Sequence, residues 1–204
     1  TEYRQENKES SHLTDFSLFN QKGDSKSHFF YKYSKFIEFA NFDEGNINLK
    51  IEKTSNDTYL RKSKLSSPLF KSLNVLENTF GVNLSSDKFS LDTEFKVYED
   101  LDKEESSDRY EFILPKFDIT KKIDNFTKLA GNFLLKSNNL IRSYDTNILE
   151  KININNLIFN STPFISKSGF ESNYEFIIKN INSDAENSSS YQQGENFYLS
   201  GLFQ

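Results

Sequence analysis

The 204-residue chain has no cysteine, no methionine and no tryptophan, and it carries only three prolines, seven glycines and two histidines. Without cysteine there is no disulfide and no thiol chemistry, and the compartment is left open. Translation begins with methionine whereas this chain begins Thr1-Glu2-Tyr3, so it is expected to be an excerpt or a processed product. A missing secretory signal then carries no information. Seven glycines leave little room for a phosphate-binding loop, and none occurs. No apolar run approaches the roughly 20 residues of a membrane helix, although strands of a transmembrane barrel need only about ten residues of alternating character. Only four arginines are present (Arg4, Arg61, Arg109, Arg142), and the basic residues are scattered in a chain of net charge -5. That distribution argues against nucleic acid as a partner.

What the chain does have is aromatic bulk, 21 Phe and 10 Tyr, arranged with a two-residue beat. Ile47, Leu49 and Ile51 alternate with Asn46, Asn48, Lys50 and Glu52, and the beat returns in Phe80, Val82 and Leu84, in Phe89, Leu91, Thr93, Phe95 and Val97, and in Tyr174, Phe176 and Ile178. Neighbouring side chains of a strand point to opposite faces, so each segment has one oily and one wet side. Low mean hydropathy combined with this periodicity reads as a folded all-β chain rather than a disordered one.

Strands are expected at His12–Phe19, Ser27–Tyr33, Phe36–Asn41, Asn46–Lys53, Thr58–Ser66, Asn78–Ser85 and Lys88–Glu99. Further strands fit Arg109–Leu114 and Lys116–Thr120 around Pro115, then Ala130–Ser137, Thr146–Phe159, Glu171–Asn180 and Asn196–Phe203. Pro115 cannot donate to a ladder and should mark a bulge, an edge or a strand start. Turn chemistry separates the strands at Gln21-Lys22-Gly23-Asp24, Asp43-Glu44-Gly45 and Ser86-Asp87, and loops are expected at Asn138–Tyr144, Asn160–Ser168 and Asn182–Gly194. Residues 1–10 read as a polar connector and 11–204 as one β unit. The only arguable helix, Phe126–Leu135, is weakened by Gly131.

Chemistry-bearing clusters are weak. The acidic interval Glu99–Asp108 offers oxygen ligands but lacks the glycine and spacing of an EF-hand loop, so it reads as a solvated loop rather than a calcium site. His12 and His28 have no second histidine at metal-ligand spacing, and no GxSxG frame accompanies them. Both read as surface or lumen-facing polar residues, Asp57 near Glu52 reads as a chance carboxylate pair, and no catalytic, metal or cofactor residue is assigned. Phe29, Phe30, Tyr31, Tyr33, Tyr98, Tyr110, Phe197 and Tyr198 fit the aromatic girdle of a membrane barrel and equally the interior of a soluble sandwich.

Three stretches occur in a fixed order: Asn56-Asp57-Thr58-Tyr59-Leu60-Arg61, Phe95-Lys96-Val97-Tyr98-Glu99-Asp100-Leu101 and Ser107-Asp108-Arg109-Tyr110-Glu111-Phe112-Ile113-Leu114-Pro115. Together with Tyr144-Asp145-Thr146-Asn147 and the Asn180–Tyr191 loop, they make the chain resemble an internal run of the barrel region of LptD, the lipopolysaccharide-assembly protein of the Gram-negative outer membrane. The resemblance covers most of residues 11–195. It implies an up-and-down antiparallel meander within a large transmembrane barrel in the cell outer membrane, contacting membrane lipid. It also implies partners: lipopolysaccharide, an LptE-like lipoprotein plug and a periplasmic bridge protein that delivers the lipid.

The expectation is therefore a barrel segment for lipopolysaccharide transport and assembly, not an enzyme. Its polar lumen would admit sugar and phosphate, and its lipid-facing wall would release the acyl part. Three other readings stay open on residues alone. They are a soluble β-sandwich or adhesin-like binding module, a general porin, and an outer-membrane lipid hydrolase, which needs a Ser-His pair. Leu134, Phe30, Leu157 and Phe159 break the beat, and a β-bulge is expected to switch the register there.

Overall fold

The structure is a computed structural model describing residues 1–21, 24–39, 41–63, 67–104, 108–125, 127–145 and 147–203, with only the backbone at 21, 24 and 25. Its strands are β1 (Glu2–Glu6), β2 (Ser10–Gln21), β3 (Asp24–Phe36), β4 (Glu44–Thr54), β5 (Val75–Ser85), β6 (Phe89–Asp100) and β7 (Tyr110–Ile123). There follow β8 (Gly131–Tyr144), β9 (Ile148–Ser161), the two-residue β10 (Phe164–Ile165) and β11 (Glu171–Ser172), β12 (Tyr174–Glu186) and β13 (Gly194–Phe203). One five-residue helix, α1 (Tyr59–Ser63), lies in the β4–β5 connection.

The all-β expectation holds, and the sheet is a single antiparallel meander of 11 strands in the order β1 to β9, then β12 and β13. β10 and β11 form a separate small hairpin. β1 pairs only with β2 and β13 only with β12, so the sheet is open at both edges among the described residues. Residues read as a polar connector thus include a strand, β1, whose partners run from Glu2↔Asp15 to Glu6↔Ser11.

Several local expectations are corrected. Thr58–Ser66 holds α1 where a strand was expected, residues 64–66 lying outside the described residues. Asn56 causes the difference: its Oδ1 accepts from Thr58 N (2.9 Å) and Thr58 Oγ1 (2.8 Å), and its carbonyl accepts from Tyr59 N, which closes a turn that an extended chain cannot make. Phe36–Asn41 is no strand, because β3 ends at Phe36 and residue 40 lies outside the described residues. The chain turns at Asn41 (φ 71°), not at Asp43-Glu44-Gly45, whose last two residues open β4.

Asn138–Tyr144 belongs to β8 rather than a loop, and β12 runs on to Glu186. Asparagine is a poor strand former in isolation, but these residues are paired on both sides, and context overrides propensity. The register switch falls elsewhere than expected. β7 carries one extra residue where Leu114 and Pro115 face Phe95 on one side and Ile141 on the other. The bulge reading of Pro115 was right, and no shift occurs at Phe30, Leu134, Leu157 or Phe159.

Candidate functional site

Residues opposite each other in an antiparallel ladder share a face, so the register divides the sheet's side chains into two sets. One set is largely polar: on β3 to β6 Lys32 pairs with Lys50, Lys50 with Thr79 and Thr79 with Lys96, while on β4 to β8 Asn46, Asn83, Asp92, Asp118 and Asn138 form the next such row but one. The other set is apolar, with Tyr33, Leu49, Phe80 and Phe95 in one row and Leu84, Leu91 and Ile119 in another. Phe80 and Phe95 remain 41% and 38% exposed, so that face is left open there among the described residues.

The polar face is organised by ion pairs. Lys50 Nζ lies 2.7 Å from Glu52 Oε1 and 2.7 Å from Glu77 Oε2. Glu52 is buried; its Oε1 makes no hydrogen bond and is compensated by the lysine charge, while Oε2 accepts from Glu77 N at 2.6 Å. Lys96 pairs with Glu94 at 3.0 Å, and Arg142 with Glu111 at 2.7 Å. Arg142 also lies over the Tyr144 ring, 3.9 Å from its centroid, and Tyr144 and Ser188 both donate to Glu150 Oε1.

The described part of the 55–74 connection packs over one end of the sheet, against Phe30 of the polar set and Leu76 of the other. Phe30 shares its row with Asp15 and Glu52, yet it is fully buried, packed with Tyr59, Leu60, Leu69, Leu76 and Leu101 and with Phe70 at its side. That explains why Phe30 breaks the beat: its apolar ring is needed on the wet face, under α1. The cover is fastened by Arg109, whose guanidinium donates to both oxygens of Asp57 (3.0 and 2.6 Å), to Glu99 Oε1 (2.9 Å) and to the Lys103 carbonyl (3.2 Å). Arg61 and Asp102 add a second tie at 2.7 Å. The Arg109 hydrogen bonds hold the Asp57 carboxyl below the usual aspartate range, and its two carboxylate partners push Arg109 further up.

Sequence reading missed one constellation because its members are distant in the chain. His28 is buried on the polar face with Nε2 3.2 Å from Asp15 Oδ1 and Nδ1 3.2 Å from Ser17 Oγ. The composition of a hydrolytic triad is therefore present. Its geometry is that of a latch: Tyr59 OH sits 2.7 Å from Ser17 Oγ and 3.1 Å from His28 Nδ1, on the nucleophile's own oxygen, and the His28 side chain is 1% exposed. A register pair, Ser17↔His28, thus ties β2 and β3 to α1. His12, on the opposite face, meets Tyr31 OH at 2.9 Å.

The structure splits the other sequence candidates. Asp57 goes to Arg109 and Glu52 to Lys50, so they are not a working carboxylate pair. Of the acidic interval, Glu99 serves Arg109 and Asp102 serves Arg61, while residues 105–107 lie outside the described residues. Among the described residues no three His, Asp or Glu side chains gather as metal ligands. Of the aromatic girdle set, Phe29, Tyr31 and Tyr33 share the apolar face and Phe30 and Tyr98 lie on the other.

The apolar face is not level with the register. One row runs Lys35, Ile47, Val82, Thr93, Phe117, Asn139, Asn153, Asn182. On β3 the apolar triad Phe29, Tyr31, Tyr33 centres four residues to one side of Lys35; on β5 Phe80, Val82, Leu84 centres on the row; on β12 Tyr174, Phe176, Ile178 centres six residues to the other side of Asn182. The belt drifts ten residues over the seven strand-to-strand steps from β3 to β12. At about 3.4 Å per residue and about 4.8 Å between strands, that inclines it by about 45° to the register.

No protein-family model matches the chain, and no curated protein matches it significantly.

Proposed function

We propose that this chain is a wall segment of a transmembrane β-barrel in the outer membrane of a Gram-negative bacterium, working in lipopolysaccharide transport and assembly. The observation that carries the barrel is the inclined belt. Transmembrane strands tilt by about 35–45° from the membrane normal, so a level lipid zone must cross a strand ladder obliquely, as this one does. A soluble sandwich has no reason to move its apolar set along successive strands. It would also need a second sheet over Phe80 and Phe95, and the described residues supply none there.

The lipopolysaccharide assignment draws on the resemblance, whose three main stretches meet in space. Asp57, Glu99 and Arg109, one from each, are joined by a single guanidinium. The ion-paired polar face suits a sugar-phosphate head, and the opposite face suits acyl chains.

Two measurements test the reading. The cysteine-free background allows single-cysteine labelling with an environment-sensitive dye after insertion into vesicles. Labels at Val82 and Phe176 should report hydrocarbon, and labels at Thr79 and Asn153 should report water. Uniformly aqueous or uniformly dry signals would remove the barrel. A photo-reactive residue at Thr79 should then cross-link lipopolysaccharide, and labelling by phospholipid alone would remove the transport role.

A further inference from the structure

Beyond the inclined belt, on the same face of the sheet, lies a tract of neutral polar side chains. Ser137 and Asn139 of β8, Asn153 and Asn155 of β9, and Asn180 and Asn182 of β12 occupy two adjacent rows of that face. They lie just beyond Leu135, Leu157 and Ile178, toward the end of the sheet that carries the 55–74 connection. They are tied to one another: Ser137 donates to Asn155 at 2.6 Å, Asn139 to Ser137 at 3.0 Å and Asn182 to Asn180 at 2.7 Å, and Asn153 donates to Asn139 and Asn155 to Asn153.

An amide has two N–H donors and two acceptor lone pairs, so each retains capacity after binding its neighbour. Mutual bonding fixes the outward groups and lowers the entropy lost when a ligand arrives. The six side chains of the tract are neutral; the next row's Lys151 and Asp184 pair with each other at 3.1 Å, and at the β13 edge Glu195, opposite Asn182, accepts from Asn180 at 3.0 Å. An aromatic ring stands at each side, Phe117 opposite Asn139 and Phe197 opposite Asn180. The two rings are four strand spacings apart, roughly 19 Å. A groove of about 340 Å³ runs past Asn139, Asn153 and Asn182.

We propose that this tract is a binding surface for the hydroxyl groups of an uncharged oligosaccharide, held by the amides and stacked at its ends on Phe117 and Phe197. Neutral donors and acceptors in alternation match vicinal hydroxyls, whereas phosphate would call for unpaired arginine or lysine and a protein partner for a central apolar anchor. The level of the tract, immediately past the belt, makes the sugar of a membrane glycolipid its natural ligand. That last clause rests on the barrel reading.

The test uses the full chain in vesicles with three probes: smooth lipopolysaccharide bearing a neutral O-chain, the O-chain oligosaccharide cleaved from it, and lipid A. Saturation-transfer NMR should show contact with the cleaved oligosaccharide and none with the lipid A head, and Asn153→Ala/Asn182→Ala should weaken that contact at least tenfold. The lipid-borne sugar should bind more tightly than the free one, since membrane anchoring raises its local concentration. Equal binding by the double variant, or equal response to lipid A, overturns the proposal. Dye labelling at Val82 reads insertion separately. Insertion without sugar contact sinks the sugar site alone, and sugar contact without insertion sinks the barrel alone.

Discussion

Arg109 and Asp57 lie 52 residues apart in the chain, yet they meet through two parallel hydrogen bonds of 3.0 and 2.6 Å, with Glu99 on the guanidinium's other edge. The Arg109 side chain is 3% exposed and that of Glu99 11%. Removing the arginine strands a buried carboxylate. Arg109→Ala should therefore cost about 3 kcal/mol, at the lower end for a broken buried pair, because Asp57 is half in water. Denaturant unfolding in detergent, compared with Asp57→Asn, checks this. A cost for Arg109→Ala no greater than for Asp57→Asn would mean that Glu99 is not truly desolvated.

The same pair gives a pH dependence with a definite sign. Arg109 lowers the Asp57 carboxyl below its unfolded value, so the folded state binds fewer protons there. The stabilisation is complete above the ordinary aspartate range, around pH 4, and is lost as pH falls through the lowered folded value. Wild-type protein should lose stability between pH 5 and about pH 3 more steeply than Asp57→Asn. Parallel curves would show that the pair contributes nothing.

Phe30 is fully buried beneath α1 on the polar face, and Phe80 is 41% exposed on the apolar one. Phe30→Ala should cost about 3–5 kcal/mol and release the 55–74 cover, seen as new proteolysis near Leu60. Phe80→Ala should leave the cover protected. If both variants are cut equally, the cover is not held by the Phe30 cluster.

How much of this was legible in the sequence depends on range. The beat in Ile47 to Ile51 and Phe80 to Leu84 announces strands and their faces because strand alternation is local, and Pro115 announces its bulge because a missing N–H is local. α1 was obscured because one asparagine side chain, Asn56, turns the chain inside an otherwise strand-like run. β8 was cut short because Asn138 and Asn139 owe their extended form to neighbours on two strands. Phe30 looked like a fault in the pattern, and only the fold supplies the leucines that cover it. The latch of Asp15, Ser17, His28 and Tyr59 spans 44 residues and has no spacing signature at all. The belt's inclination emerges only when alternation is read along the register of all the strands together.

That inclination leads to the sharpest contrast. Val82 and Asn153 sit on one register row of one face, connected through Thr93, Phe117 and Asn139. In a soluble protein the shared row and face give no reason for an added charge to be treated differently at the two positions beyond local packing. In a tilted wall Val82 lies at the centre of the lipid zone and Asn153 about five residues beyond the centre of its own strand's apolar pair, Leu157 and Phe159. An arginine at mid-membrane costs about 2–4 kcal/mol, and near the interface about 0–1. Val82→Arg should therefore destabilise the vesicle-inserted protein by about 2–4 kcal/mol and Asn153→Arg by less than about 1. The difference should shrink when lipid is replaced by a detergent whose head groups reach the belt. Equal costs in vesicles would mean that the row is level with its surroundings, and the strands would then have no membrane to be tilted in.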